Sequence, residues 1–392
     1  MTLLDVIKDA SVNSKSLDLP SDYPIVLNPD SIIPNLKSEL KDKSSSSLIK
    51  PLTGWQVSQT DAEIIEISKK FFTQLKNPKD LKKGEFTGSL NSYLENIRDK
   101  VGVSVENDSS SSGYIRILID KLGSFIGKDV AGLVLDGCVS LEIWEVVEAL
   151  IVNGLIEHSC YSKLVASLVE LKRSDLLCLC IKHAFDLGSS EILNILRYFL
   201  SPSKDAYNTM VTVKKDWENQ ALLAIEKAGD SNLKRKNLLL AKEASILLMI
   251  SYDGFSAAEL CLHYLISSSN VKDVIYLLFS KLNGKELINL IRYLGKWLKK
   301  YERFPQAVPC PKASSVLGLK ACEWVPKLED VIKCLGLVLD ENFSALVLHP
   351  QFHEELRHIA GMVSCLTAEA KFCYLMADVV DKLKIEVKGG NN

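Results

Sequence analysis

A chain of 392 residues that is 47% hydrophobic carries enough apolar surface for one large core or two, which excludes disorder throughout. Its 47 Lys and Arg against 49 Asp and Glu leave a net charge of −2. That balance excludes a protein that coats nucleic acid along its whole surface, so any nucleic-acid contact has to be local. Charge interrupts the long apolar runs, as Lys242 and Glu243 do before Ala244–Ile250, and no uncharged run reaches the roughly 18 to 20 residues that cross a bilayer. The opening Met-Thr-Leu-Leu-Asp lacks a basic segment followed by an apolar one. The expectation is a soluble, intracellular chain.

In chain order, residues 1–58 read as an extended or disordered linker. Pro20, Pro24, Pro29, Pro34 and Pro51, with the run Ser44–Ser47, leave no room for a long periodic element. A small helical segment is expected over 59–104. Thr60 and Glu63 have capping-box spacing, and Ile64, Ile67, Phe71 and Leu75 continue one apolar face, with a weaker partner near Leu90–Val101. The run Ser109–Ser112 marks a serine-rich linker at 105–113. From 114 to 384 helical periods recur between the breakers Gly154, Gly188, Ser201-Pro202, Gly229-Asp230, Gly254, Gly284 and Pro305, with no strand alternation. Residues 385–392 read as a disordered tail.

Leu176–Phe185 and Leu238–Ile250 are apolar almost all round, as an inner layer requires. Ser140 stands where it can cap a helix holding Leu141, Ile143, Trp144, Val147 and Leu150, with Glu142, Glu145 and Glu148 as an acidic edge. The predicted class is all-α: irregular stacked helical hairpins, solenoid-like or a superhelical bundle, behind an extended N-terminal linker. The turn spacings fit neither tetratricopeptide nor ankyrin repeats.

From Lys285 onward one helix is sharply two-faced. Leu287, Leu290, Ile291, Leu294, Trp297, Leu298 and Tyr301 gather on one side, and Lys285, Arg292, Lys296, Lys299, Lys300 and Arg303 on the other. The six cations are the candidate contact for an acidic protein or RNA, weighed against the plainer reading of a solvated face. Leu294, Trp297, Trp324 and Phe343 are the candidate packing anchors. The ten cysteines lack zinc spacing. Cys178 and Cys180 point about 200° apart on a helix, while Cys310 and Cys322 bracket a loop and can approach as reduced thiols. His349, His353 and His358 miss the HExxH spacing, since His358 lies about 140° round from His353. GxxxxGK[ST], GxGxxG and GxSxG are all missing. No catalytic, cofactor or metal-binding residue is assigned, no cofactor is expected, and the chain is not expected to be an enzyme.

Two stretches carry a resemblance. The first is Ser162–Ser201, with Leu164, Leu168, Asp175, Leu176, Leu177, Cys180, Phe185, Ile192 and Leu200. The second runs from Leu290–Tyr301 through the Pro309 and Pro311 loop and Trp324 to LVLDENFSALVLHP at Leu337–Pro350. In order and spacing they resemble the C-terminal helical region of the nucleolar protein 11 family, over roughly residues 130–385. The resemblance implies a non-catalytic nucleolar scaffold subunit supporting pre-rRNA transcription and early pre-18S rRNA processing in the small-subunit processome. Its partners would be other processome subunits, with pre-rRNA contact indirect or local and neither a membrane nor a small-molecule substrate. Members generally carry a β-propeller ahead of this region, where this chain has its proline-rich stretch. A general helical adaptor in vesicle transport or a ubiquitin-ligase complex is the alternative.

Overall fold

The computed structural model describes residues 59–75, 82–105, 113–230, 233–305, 307 and 309–389. The expectations for 1–58 and for most of the serine-rich linker lie outside the described residues. The fold is all-α, with seventeen α-helices and no strand among the described residues. Helices α1 (Gln59–Gln74) and α2 (Lys83–Val101) form the first hairpin. Ile64, Phe71 and Leu75 are buried as their period requires, and the Phe71 and Tyr93 rings stack at 4.2 Å. Thr60 lies inside α1 rather than capping it, and Glu63 instead pairs with Lys100 at 2.7 Å. This hairpin belongs to the main helical body: α2 packs on α3 (Tyr114–Leu122), and one apolar core runs from Phe71 to Met362.

Next come α4 (Lys128–Ser140), α5 (Trp144–Val152), α6 (His158–Glu170), α7 (Ser174–His183) and α8 (Ser189–Leu200). The odd-numbered α3, α5 and α7 pack in succession, and so do the even-numbered α4, α6 and α8, giving two layers of stacked hairpins. One turn builds this stack three times over. The Ile143 N–H donates to Cys138 O, Leu155 N–H to Leu150 O and Arg173 N–H to Leu168 O, each closing a helix end over a residue of positive φ. Gly154 fits that position freely, whereas Glu142 at φ 53° and Lys172 at φ 56° do so without glycine's freedom. The same turn corrects the expected role of Ser140. Its Oγ donates back to Asp136 O at 2.8 Å within α4, and α5 starts at Trp144 without a side-chain cap.

Beyond the stack, α9 (Lys204–Gly229) and α10 (Arg235–Tyr252) make a long hairpin across α11 (Ala257–Ser267). The innermost helix is α11, where Ala257 to Ile266 are almost all buried, the half-buried Glu259 excepted. By contrast α10, expected inside, leaves Leu239, Ile246 and Met249 exposed, and Phe185 just beyond α7 is 78% exposed. Closing the body are α12 (Lys272–Tyr276), α13 (Gly284–Arg303), α14 (Lys312–Leu317), α15 (Leu328–Glu341), α16 (Phe343–Leu348) and α17 (His353–Gly389). The tail expected to be disordered from 385 continues α17 as helix to Gly389. The uncharged-run criterion also missed a feature: Pro350–Lys384 is long and apolar enough, by length and composition, to cross a membrane.

Candidate partner-docking site

Helix α13 is fixed at its start by a capping box. Asn283 Oδ1 accepts from the Glu286 N–H at 3.0 Å, and Glu286 Oε2 accepts from the Asn283 N–H at 2.9 Å. The seven apolar residues expected on one face are all buried, Trp297 and Leu294 completely. Trp297 sits among the rings of Phe255, His263 and Tyr301, with centroids 5.0, 4.9 and 5.6 Å away. His263 is buried and neutral: its Nε2 donates to Ser251 O at 3.0 Å, and its Nδ1 accepts from Tyr293 Oη at 2.9 Å. Burial is the main reason its pKa falls to about 3. Tyr301 Oη donates to Pro326 O at 2.6 Å, tying α13 to the start of α15.

The opposite face does not present six equivalent cations. Arg292 pairs with Glu355 of α17 at 2.7 Å, Lys296 with Glu259 at 2.8 Å, and Lys300 with Asp253 at 2.9 Å. These three hold α13 to its neighbours. Hydrogen bonding and attraction from Lys300 keep the Asp253 carboxyl below its usual range. Lys285, Lys299 and Arg303 form no salt bridge among the described residues, although Arg303 helps to lower the pKa of Asp253 and lies over the Phe304 ring at 5.4 Å. Lys285 stands at the other end of the helix, about 21 Å from Lys299 at 1.5 Å per residue. The expected continuous stripe therefore reduces to the pair Lys299 and Arg303.

That pair rims a groove of about 600 Å³ between α10 and α13. Its floor is apolar: Ile246 and Met249 of α10, 42% and 41% exposed, with Phe255 and Phe304 at its sides. The turn Asp253-Gly254-Phe255 forms one wall, and Gly254 at φ 75° lets the backbone carbonyl accept from Lys296 Nζ at 3.2 Å. Among the described residues lining the groove, Lys296, Lys299, Lys300 and Arg303 stand with the single carboxylate Asp253, and Lys296 also pairs with Glu259 outside it, so positive charge is in excess over an apolar strip. The floor was missed in the sequence because α10 carries apolar residues all round, so its periodicity does not show which of them stay uncovered.

Of the remaining anchors, Trp324 is half-buried with its ring 5.7 Å from Tyr264. Phe343 is 67% exposed and anchors nothing. Asn342 ends α15 with its Nδ2 donating to Phe279 O at 3.3 Å, so the next residue opens α16 facing outward, and Leu346 and Phe352 bury instead. Cys310 and Cys322 do approach: their thiols hydrogen-bond, and that contact lowers the pKa of Cys310. His353 Nε2 donates to Val347 O at 2.9 Å. Among the described residues no three His, Cys, Asp or Glu side chains converge on a metal position. Comparison of the chain with models of protein families, with curated proteins and with solved structures finds no match.

Proposed function

We propose that this chain is a non-catalytic helical scaffold whose α10–α13 groove docks an acidic, amphipathic segment of a partner protein. The observation that carries the reading is the pairing of an apolar floor at Ile246 and Met249 with the cations Lys299 and Arg303, neither held in a salt bridge, on its rim. A segment with apolar residues on one side and carboxylates beside them satisfies both, because burial supplies affinity while charge sets orientation and partner choice. RNA fits less well, since two cations outside salt bridges offer little of the phosphate neutralisation on which its binding depends.

The resemblance of Ser162–Ser201 and Leu290–Pro350 to the nucleolar protein 11 family supports a setting for this role. In that setting the chain is a nucleolar subunit of the small-subunit processome, acting in pre-rRNA transcription and early pre-18S processing through contacts with other processome subunits. The test is affinity purification of the tagged full chain from nucleolar extract, beside a Lys299→Glu/Arg303→Glu variant. Processome subunits should co-purify with the wild type, fall away with added salt, and be reduced in the variant. Depletion of the chain should raise early pre-rRNA precursors. A purely cytoplasmic distribution with unchanged pre-rRNA would sink the nucleolar setting, and equal recovery by the variant would sink the groove.

A further inference from the structure

Two cysteines that line no part of the docking groove meet in the passage from α13 to α15. The stretch Pro309-Cys310-Pro311 leads into α14, and the chain turns back at Gly318, whose φ of 70° lets the Leu319 N–H reach Ala313 O at 3.2 Å. Cys322 follows in the 3₁₀ turn Lys320–Trp324, where its N–H donates to Leu319 O at 3.1 Å. Ala313 and Leu319 are buried within this short closed loop. Helix α14 packs on α10, and the 3₁₀ turn packs on α9, α10 and α11, with the Ala321 N–H donating to Gln220 Oε1 at 3.3 Å. The backbone under both cysteines is therefore held in place.

The contact between them is asymmetric. Cys310 keeps 9% of its surface open and Cys322 only 2%. The Cys322 S–H donates to Cys310 Sγ, and that hydrogen bond holds Cys310 below the usual thiol range while it raises Cys322. Elsewhere the surroundings act the other way: burial raises Cys138, Cys180 and Cys334, and a hydrogen bond to Glu302 raises the exposed Cys365. Cys178 of α7 and Cys261 of α11 also touch, but both lie in the core, and burial pushes Cys261 well up. The thiolate is the form that reacts, so the two thiol pairs differ in chemistry.

We infer that Cys310 and Cys322 are a reversible redox pair that a hydroperoxide converts to a disulfide, with Cys310 as the attacking thiol and Cys322 as the resolving one. The Cys310 thiolate attacks one oxygen of hydrogen peroxide, the O–O bond breaks, and Cys310 is oxidised to a sulfenic acid as hydroxide leaves. The hydroxide takes up the proton that Cys310 had released. Cys322 Sγ then attacks Cys310 Sγ, the S–O bond breaks, and the Cys322 proton departs with the hydroxyl group as water. Two thiols and one hydrogen peroxide thus give one disulfide and two waters. A dithiol reverses the change by exchange and is itself oxidised to a disulfide. The bond closes the loop over its own turn and fastens the passage between α13 and α15.

The test is peptide mapping of the folded full chain after treatment with hydrogen peroxide, alkylation of the remaining thiols and digestion with trypsin. Cleavage after Arg303, Lys312, Lys320 and Lys327 places the two cysteines on separate peptides, Phe304–Lys312 and Ala321–Lys327. These should appear joined by a disulfide, and dithiothreitol added before alkylation should separate them. In a Cys322→Ser chain, Cys310 should stop at the sulfenic acid and be trapped by dimedone. A Cys310→Ser chain should give neither the linked peptides nor a dimedone adduct at Cys322. If either variant fails to fold, the wild-type map decides alone. Oxidation confined to the exposed Cys365 and Cys373, a link between Cys178 and Cys261 in place of the expected one, or a link that forms only in urea would each overturn the inference.

Discussion

Helices α13 and α17 run side by side, and both carry an apolar face opposite a charged one, yet the fold treats them differently. In α13 the apolar face meets rings on all sides, and three of its six cations are spent on holding neighbours in place. In α17 the same kind of face is covered only until its neighbour ends, and the rest stands in water. Amphipathicity thus reports that a face needs a partner. It does not report whether the chain itself provides one.

The contrast between the two helices is most vulnerable at Trp297. Removing the fully buried indole by Trp297→Ala should cost about 3 to 5 kcal/mol and lower the melting temperature by many degrees. A shift within error would mean that α13 is no more anchored than the α17 extension. Acid should act on the same core through His263. Its folded pKa of about 3 lies below the usual 6.5, so below pH 6.5 the unfolded chain takes up a proton that the fold refuses. Stability should fall by about 1.4 kcal/mol per pH unit from pH 6.5 towards pH 3 on account of this group. Denaturant titrations of wild type and His263→Gln across that range should differ in slope by this amount, and parallel slopes would contradict the assignment.

Helix α17 can be divided against itself with one substitution type. Met362→Ala, in the packed half, should cost about 2 to 3 kcal/mol, while Met376→Ala should leave the stability of a single chain within about 0.5 kcal/mol. Equal effects would mean that the two positions of α17 are equally packed, against the burial of Met362 and the exposure of Met376. A smaller version of the contrast lies nearby: Phe352→Ala should destabilise strongly, and Phe343→Ala hardly at all. The smallest effect belongs to the half-exposed Arg292–Glu355 pair, where a double-mutant cycle should return about 0.2 to 1 kcal/mol.

The buried face of α13 was legible residue by residue, because its period of 3.6 is unbroken over five turns and its cap, Asn283, stands one residue before Gly284. The docking groove was half legible. Its cations stand out in the sequence, but their division into paired and unpaired depends on Asp253, Glu259 and Glu355, which approach from other elements. Its floor depends on which side of α10 the α9 hairpin covers. Phe343 was misjudged because its neighbourhood is apolar, whereas its direction is set by the Asn342 turn.

Local sequence was enough to make this protein all-α, to place most of its helix breaks, and to turn particular residues of α13 inward, since those properties follow from period, caps and breakers within a few turns of chain. Tertiary packing alone decided that α11 is the innermost helix, that half of the basic stripe is internal bracing, and that α17 outruns its neighbour. Those outcomes depend on the lengths and relative placement of helices distant in sequence, so the same local pattern is buried where a neighbour lies alongside it and left open where that neighbour ends.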